Sequence, residues 1–128
     1  MFVVGPSVLV GCGTASSSGQ PIAEVSEVPL GSAIEFRDDF SGERAVLVHL
    51  EGGQFAAYSV VCTHQGCPVS YRDGELICPC HGSVFDPARS GEVVRGPAQK
   101  PLQEIEVDAE RGTVVRVPPP WWRRMLDS

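Results

Sequence analysis

Four of the five cysteines and two of the three histidines fall between Cys62 and Phe85. The stretch reads C-T-H-Q-G-C, ten residues, then C-P-C-H-G-S-V-F. Each half offers one thiolate and one imidazole, Cys62 with His64 and Cys78 with His81. Donors separated by one or two residues cannot both be buried in a regular strand, but from a tight loop they can point at one ion. Gly66, Pro68, Pro79 and Gly82 supply that loop geometry. Two loops are therefore expected to converge on one metal centre.

Two cysteines and two histidines also form a zinc set, and zinc favours tetrahedral nitrogen and sulfur donors. In the usual finger order, however, the cysteines come as one pair and the histidines as the other. Six donors are also too many for one tetrahedral ion, which leaves Cys67 and Cys80 without a role. A structural zinc module stays as the reading from a different functional class.

The pattern C-x-H followed by C-x-x-H closely resembles the Rieske iron–sulfur family, which holds a [2Fe–2S] cluster with two cysteines on one iron and two histidines on the other. The resemblance spans about residues 22 to 117. It implies that Cys62 and Cys78 ligate the inner iron and that His64 and His81 ligate the outer one. It implies a Cys67–Cys80 disulfide tying the two loops together, as in the quinol-oxidising, high-potential branch. Gly96, Pro97 and Ala98 resemble the start of the proline-rich loop that closes over the cluster. Ser83 stands where high-potential members place a hydroxyl donor to a bridging sulfur. Phe85 stands where they carry a tyrosine that donates to a cysteine sulfur. One tuning donor is present and one missing, so the implied potential lies between the ferredoxin-type and quinol-oxidising ranges.

At 128 residues the chain is long enough for one domain with a modest core. Its net charge of −6 argues against nucleic acid as a partner. Three segments are expected: an apolar leader and flexible linker over 1–21, the cluster domain over 22–117, and a Pro/Trp/Arg tail over 118–128. Leu9-Val10-Gly11-Cys12 matches a bacterial lipobox, in which Cys12 is lipidated, and the small polar run after it fits a tether. The basic region of a secretory leader is missing, however, and the alternative is a frayed terminus with a spare thiol or the last part of a membrane anchor.

From Ile22 onward the pattern is all β. Ala45 to Leu50 is an apolar run, E-G-G-Q a turn, and Phe55 to Val61 the returning strand. His49 is read as a strand-face or core residue. Asp73-Gly74 is a strong turn dipeptide between two short strands that join the cluster loops. Ile105 and Val107 alternate with Glu104 and Glu106, and a turn at 110–112 returns the chain through Thr113 to Val117. The expected fold is an antiparallel sandwich or barrel with a two-loop cluster-binding subdomain at one tip. In the tail, Pro118 to Pro120 should be extended. Trp121-Trp122 and Arg123-Arg124 suit either a partner or membrane interface, or a fold back onto the domain.

A Rieske oxygenase needs a second domain with a mononuclear iron site, and only His49 remains as a spare histidine. The resemblance therefore implies an electron carrier with no catalytic apparatus of its own. It would be the iron–sulfur subunit of a bacterial membrane-associated quinol:cytochrome-type oxidoreductase, on the outer face of the cytoplasmic membrane. Its implied partners are a quinol-oxidising cytochrome b-type subunit, a c-type cytochrome or similar acceptor, and the membrane surface through a lipid anchor. An exposed histidine would accept a hydrogen bond from quinol. The alternative is the small Rieske subunit of a periplasmic oxidoreductase of the arsenite oxidase type, which S-V-F-D resembles. A soluble Rieske ferredoxin is the third reading, and a disulfide, which needs an oxidising compartment, weighs against it.

Overall fold

In the middle of the structure lies a strand, Arg44–His49, whose consecutive residues Ala45, Val46, Leu47 and Val48 are all buried. Side chains alternate faces along a strand, so a run buried without a break needs cover on both sides. Val46 and Val48 pack with Cys62, Leu76, Cys78 and Phe85 on one face. Ala45 and Leu47 pack with Val28, Ile105 and Val114 on the other.

The computed structural model describes residues 19–127, and Cys12 lies outside them. Eleven strands form three antiparallel sheets among these residues: β1 (Gln20–Glu24), β2 (Ala33–Arg37), β3 (Arg44–His49), β4 (Phe55–Ser59), β5 (Ser70–Arg72), β6 (Glu75–Ile77), β7 (Val84–Asp86), β8 (Glu92–Arg95), β9 (Glu104–Ile105), β10 (Val107–Glu110) and β11 (Thr113–Arg116). The middle sheet runs β2-β3-β4-β9, with β1-β11-β10 on one side and β5-β6-β7-β8 on the other. The all-β antiparallel expectation holds.

All three expected hairpins form, the first of them pairing β3 with β4. Asp73 and Gly74 have φ of 48° and 89°, the doubly left-handed geometry of a tight two-residue turn. Arg111 and Gly112 repeat it between β10 and β11, at 54° and 85°. The alternation read across Ile105 and Val107 belongs to two strands. β9 pairs with β4 in the middle sheet, and after Glu106 the chain crosses to pair with β11. His49 ends β3, stacks on Phe55 at 4.1 Å and donates from Nδ1 to the Val28 carbonyl at 2.8 Å.

The tail departs from the extended expectation. Pro120 opens a helix, α1 (Pro120–Asp127), at a position where a proline costs no hydrogen bond. Trp122 meets Phe40 edge-on at 4.9 Å, and the Arg116 guanidinium lies 5.0 Å from the Phe40 ring centre. Beneath them Arg116 donates from Nε and Nη2 to the two Asp38 oxygens, at 2.9 and 3.1 Å. Both residues are buried. This pair fastens β11 to the turn that follows β2.

Burial alone would raise the Asp38 pKa, but Arg116, the Phe40 amide and the Ser41 hydroxyl together hold it below its ordinary 3.8. A carboxylate depressed in the folded state contributes stability above its unfolded pKa and loses it as pH falls through the folded one. Asp38→Asn should therefore destabilise by about 3 kcal/mol in urea at pH 7, since it leaves a buried guanidinium unpaired. The gap from wild type should close on acidification below pH 3.8.

Candidate metal centre

Both loops of the centre obey one backbone rule. In the first, the Cys62 amide donates to the Cys67 carbonyl at 3.0 Å and the Gly66 amide to the Cys62 carbonyl at 2.9 Å. In the second, the Cys78 amide donates to the Ser83 carbonyl at 2.8 Å and the Gly82 amide to the Cys78 carbonyl at 2.9 Å. Each six-residue loop thus starts at a cysteine and closes on its fifth successor. The residue just before closure takes φ of 82° in one loop and 81° in the other, and glycine holds both places. Val69 bonds back to Val60, which seats the first loop on the end of β4. The second loop joins β6 to β7.

This scaffold sorts the donors. Cys62 and Cys78 are buried at 3% and 2% exposure, within the core that also holds Val46, Val48 and Phe85. His64 and His81 are exposed, their ring centres 5.1 Å apart and nearly perpendicular. Burial pushes the Cys78 thiol up, and the neighbouring Cys62 sulfur adds to the rise. Two adjoining sulfurs in an apolar pocket cannot both ionise without a cation to compensate them. Two sulfurs on the protein side and two imidazoles on the water side fit a two-iron cluster with unlike ends.

Cys67 and Cys80 form a disulfide. Their sulfurs and that of Cys78 lie within 4.8 Å of one another. Bonded to each other, Cys67 and Cys80 are not free as thiolates, and among these three only Cys78 has a free sulfur. The bridge joins the sixth residue of one loop to the third of the other.

A third segment completes the surround. Ala98 is buried, and its amide donates to Ser83 Oγ at 3.0 Å. Ser83 therefore accepts from the backbone and keeps its own proton for another acceptor. Thr63, between Cys62 and His64, donates to the Lys100 carbonyl at 2.7 Å. The Gly96–Lys100 segment is thus held once from each cluster loop. Gly96, Pro97 and Ala98 belong to this segment, and Phe85 is fully buried on β7. Thr63 was not read from the sequence. Its signal was only a hydroxyl residue between two donors, and its partner is 37 positions away.

Below the centre, Tyr58 donates to the Pro87 carbonyl at 2.7 Å. Burial first, and then Glu104 and Asp86, push its phenol up to about 12. A Cβ at Gly91 would approach the Tyr58 ring to 3.0 Å, and its φ of 72° favours glycine at this crossing.

A family model for the Rieske [2Fe-2S] domain matches residues 18–106. The chain belongs to that family, whose cofactor is a Rieske [2Fe–2S] cluster. Among curated relatives, the cytochrome b6-f complex iron-sulfur subunit of Chlorobaculum thiosulfatiphilum is 33% identical over 96 residues, covering 73% of this chain and 50% of that one. The chloroplastic iron-sulfur subunit 1 of Nicotiana tabacum is 40% identical over 95 residues, covering 63% and 41%. The chain thus spans about half the length of the curated relatives it matches. Among solved structures, the plasma membrane Rieske protein of the cyanobacterium Synechocystis superposes with a TM-score of 0.67 at 23% identity, covering 75% of this chain and 96% of that one. The ferredoxin of carbazole 1,9a-dioxygenase from Nocardioides aromaticivorans also reaches 0.67, at 22% identity, covering 80% and 100%. At these identities the likeness is one of fold.

The closed loop spans 13 positions of sequence, for which the chain-entropy model gives about 3 kcal/mol. Cys67→Ser/Cys80→Ser should lower the urea midpoint accordingly. It should also speed the loss of visible absorbance when the protein is challenged with an iron chelator.

Proposed function

We propose that this domain carries single electrons through a Rieske cluster held by Cys62, His64, Cys78 and His81, as part of the iron–sulfur subunit of a bacterial membrane-associated quinol:cytochrome-type oxidoreductase. The disulfide between the two loops carries the reading, because such a bond persists only in an oxidising compartment. That favours the outer side of the cytoplasmic membrane over the cytosol. The likeness to cytochrome b6-f iron-sulfur subunits supports a cytochrome b-type partner. No helix among the described residues is long and apolar enough to cross a membrane. Lipidation of Cys12, followed by a linker to residue 21, would tether the domain of residues 22–117, and the 118–128 tail contains α1.

The cluster supplies one-electron redox chemistry at an iron carrying two neutral imidazoles. The residues do the rest. Cys62 and Cys78 seat the anionic end in the core, away from water. His64 and His81 present the other end to a partner, each with one ring nitrogen free to hydrogen-bond a quinol or an acceptor. Ser83, its oxygen already occupied by the Ala98 amide, has a proton to donate toward a sulfur, which favours the reduced state.

Phe85 favours a second reading, the small Rieske subunit of a periplasmic oxidoreductase of the arsenite oxidase type. Its ring is buried beside both cysteines and offers no donor.

Low-temperature EPR tests the reading. Ascorbate alone should produce the rhombic signal of a reduced Rieske cluster, and Cys62→Ala should abolish it together with bound iron. A signal seen only after dithionite would move the protein to ferredoxin-like work, and zinc in well-folded protein would overturn the proposal. Phe85→Tyr should raise the midpoint potential by about 40 mV, the equivalent of one hydrogen bond of about 1 kcal/mol. An unchanged or lower value would remove the missing donor as an explanation.

A further inference from the structure

The chain has 16 carboxylates against 10 basic side chains, yet the segments that build its cluster end contribute none of the 16. The three segments that build that end are residues 60–68, 78–85 and 94–101, and none contains Asp or Glu. Their only charged residues are Arg95 and Lys100, both exposed. Lys100 is the sole lysine of the chain. The Thr63 hydrogen bond to its carbonyl fixes its backbone against the loop that holds His64. Arg95 ends β8, opposite Val84, at the edge of the second loop. The other residues of these segments are apolar or neutral, with Val61 exposed by 39% and Val94 by 58%. Glu43 does reach this end, in the groove beside Val61, Gly66 and Pro68, but Arg37 and Arg44 line the same groove.

We infer that the cluster end docks an electron-transfer protein whose own redox edge is rimmed by carboxylates. The inference rests on the electron-carrier reading and adds the partner's charge to it. Net charge predicts the opposite, since a chain at −6 repels an acidic partner. Geometry decides between the two. At physiological ionic strength the screening length is about 8 Å, so carboxylates remote from the contact are largely screened, while charges within it are not. Rim charges act chiefly on the association rate, by factors of about 10 to 1,000. Exposed histidines on segments without acid, with Arg95 and Lys100 as the segments' charges, suit such an encounter surface. An anionic bilayer would meet the same charges, but it offers no centre to exchange an electron with exposed histidines.

The test compares two charge reversals at 0.15 M salt in full-length, cluster-loaded protein. Arg95→Glu/Lys100→Glu alters the rim. Arg72→Glu/Arg111→Asp makes the same change in net charge at two hairpin turns outside the cluster-end segments. Second-order rates of electron transfer are measured with an acidic plastocyanin and with a basic mitochondrial cytochrome c as acceptors. Visible absorbance and EPR check that the cluster is intact. The rim pair should slow the acidic acceptor by about tenfold and speed the basic one. The hairpin-turn pair should change neither by more than about twofold. Equal effects from the two pairs, or none from the rim pair, would overturn the inference and leave the carrier reading standing. So would loss of binding to anionic vesicles in the rim variant with both acceptor rates unchanged. An intact cluster that passes electrons to neither acceptor would overturn the carrier reading as well.

Discussion

The structure depends on sorting two kinds of donor, two sulfurs into the core and two imidazoles into water, from loops of only six residues. The paired closures at Cys62–Cys67 and Cys78–Ser83 do this. Each fixes its first residue at a strand end, facing inward, and lets the next three residues project. In the first loop the projecting histidine is the third residue and in the second the fourth, so the loops are alike in backbone and unlike in ligand spacing. A side chain at Gly66 or Gly82 would have space, since nothing lies within 4 Å of either Cβ position. What excludes it is the left-handed backbone, so closure requires glycine through conformation rather than packing.

The rest of the fold supplies a floor and walls for these loops. The floor is the core shared by β3, β4 and the cluster sheet, where Val46, Val48, Tyr58 and Phe85 surround the two free cysteines. The wall is the segment from Gly96 to Lys100, pinned by Ser83 and Thr63. Both pins are hydroxyls of the cluster loops themselves, so the segment and the loops move as one piece. A centre that gains and loses an electron benefits from such stiffness, because donors held in place need no reorganisation when the charge changes.

How much of this was legible in the sequence followed from how local the cause was. Loop geometry was readable because the glycines, prolines and donors that set it stand within a few positions of one another. The hairpin at Asp73-Gly74 was readable for the same reason. β3 announced itself through its apolar run, Ala45 to Val48. The identity of its covers did not follow, because they depend on the crossing after Glu106, where one alternating stretch serves two sheets. β2 was faint, since as an edge strand it is only half-buried and carries Glu35 and Arg37. Most hidden was the Asp38–Arg116 pair, 78 positions apart, without which neither residue is distinguishable from an ordinary surface charge. The helix at Pro120 was hidden by its prolines, which read as extended until one of them proved to be the first residue of a turn.

Fold alone does not decide what such a domain serves. A membrane Rieske protein and an oxygenase ferredoxin superpose on this chain equally well, so the architecture accommodates either task. What separates the tasks must lie in residues the fold tolerates freely. The Cys67–Cys80 bridge bears on compartment, the pair Ser83 and Phe85 on driving force, and the basic Arg95 and Lys100 on who is met. These three features are independent in physics: one is covalent, one concerns hydrogen bonding to sulfur, and one is long-range electrostatics. Their agreement is therefore informative. Under the proposed function the bridge favours an oxidising compartment, the single remaining donor favours a potential between the ferredoxin-type and quinol-oxidising ranges, and Arg95 with Lys100 would favour an acidic partner.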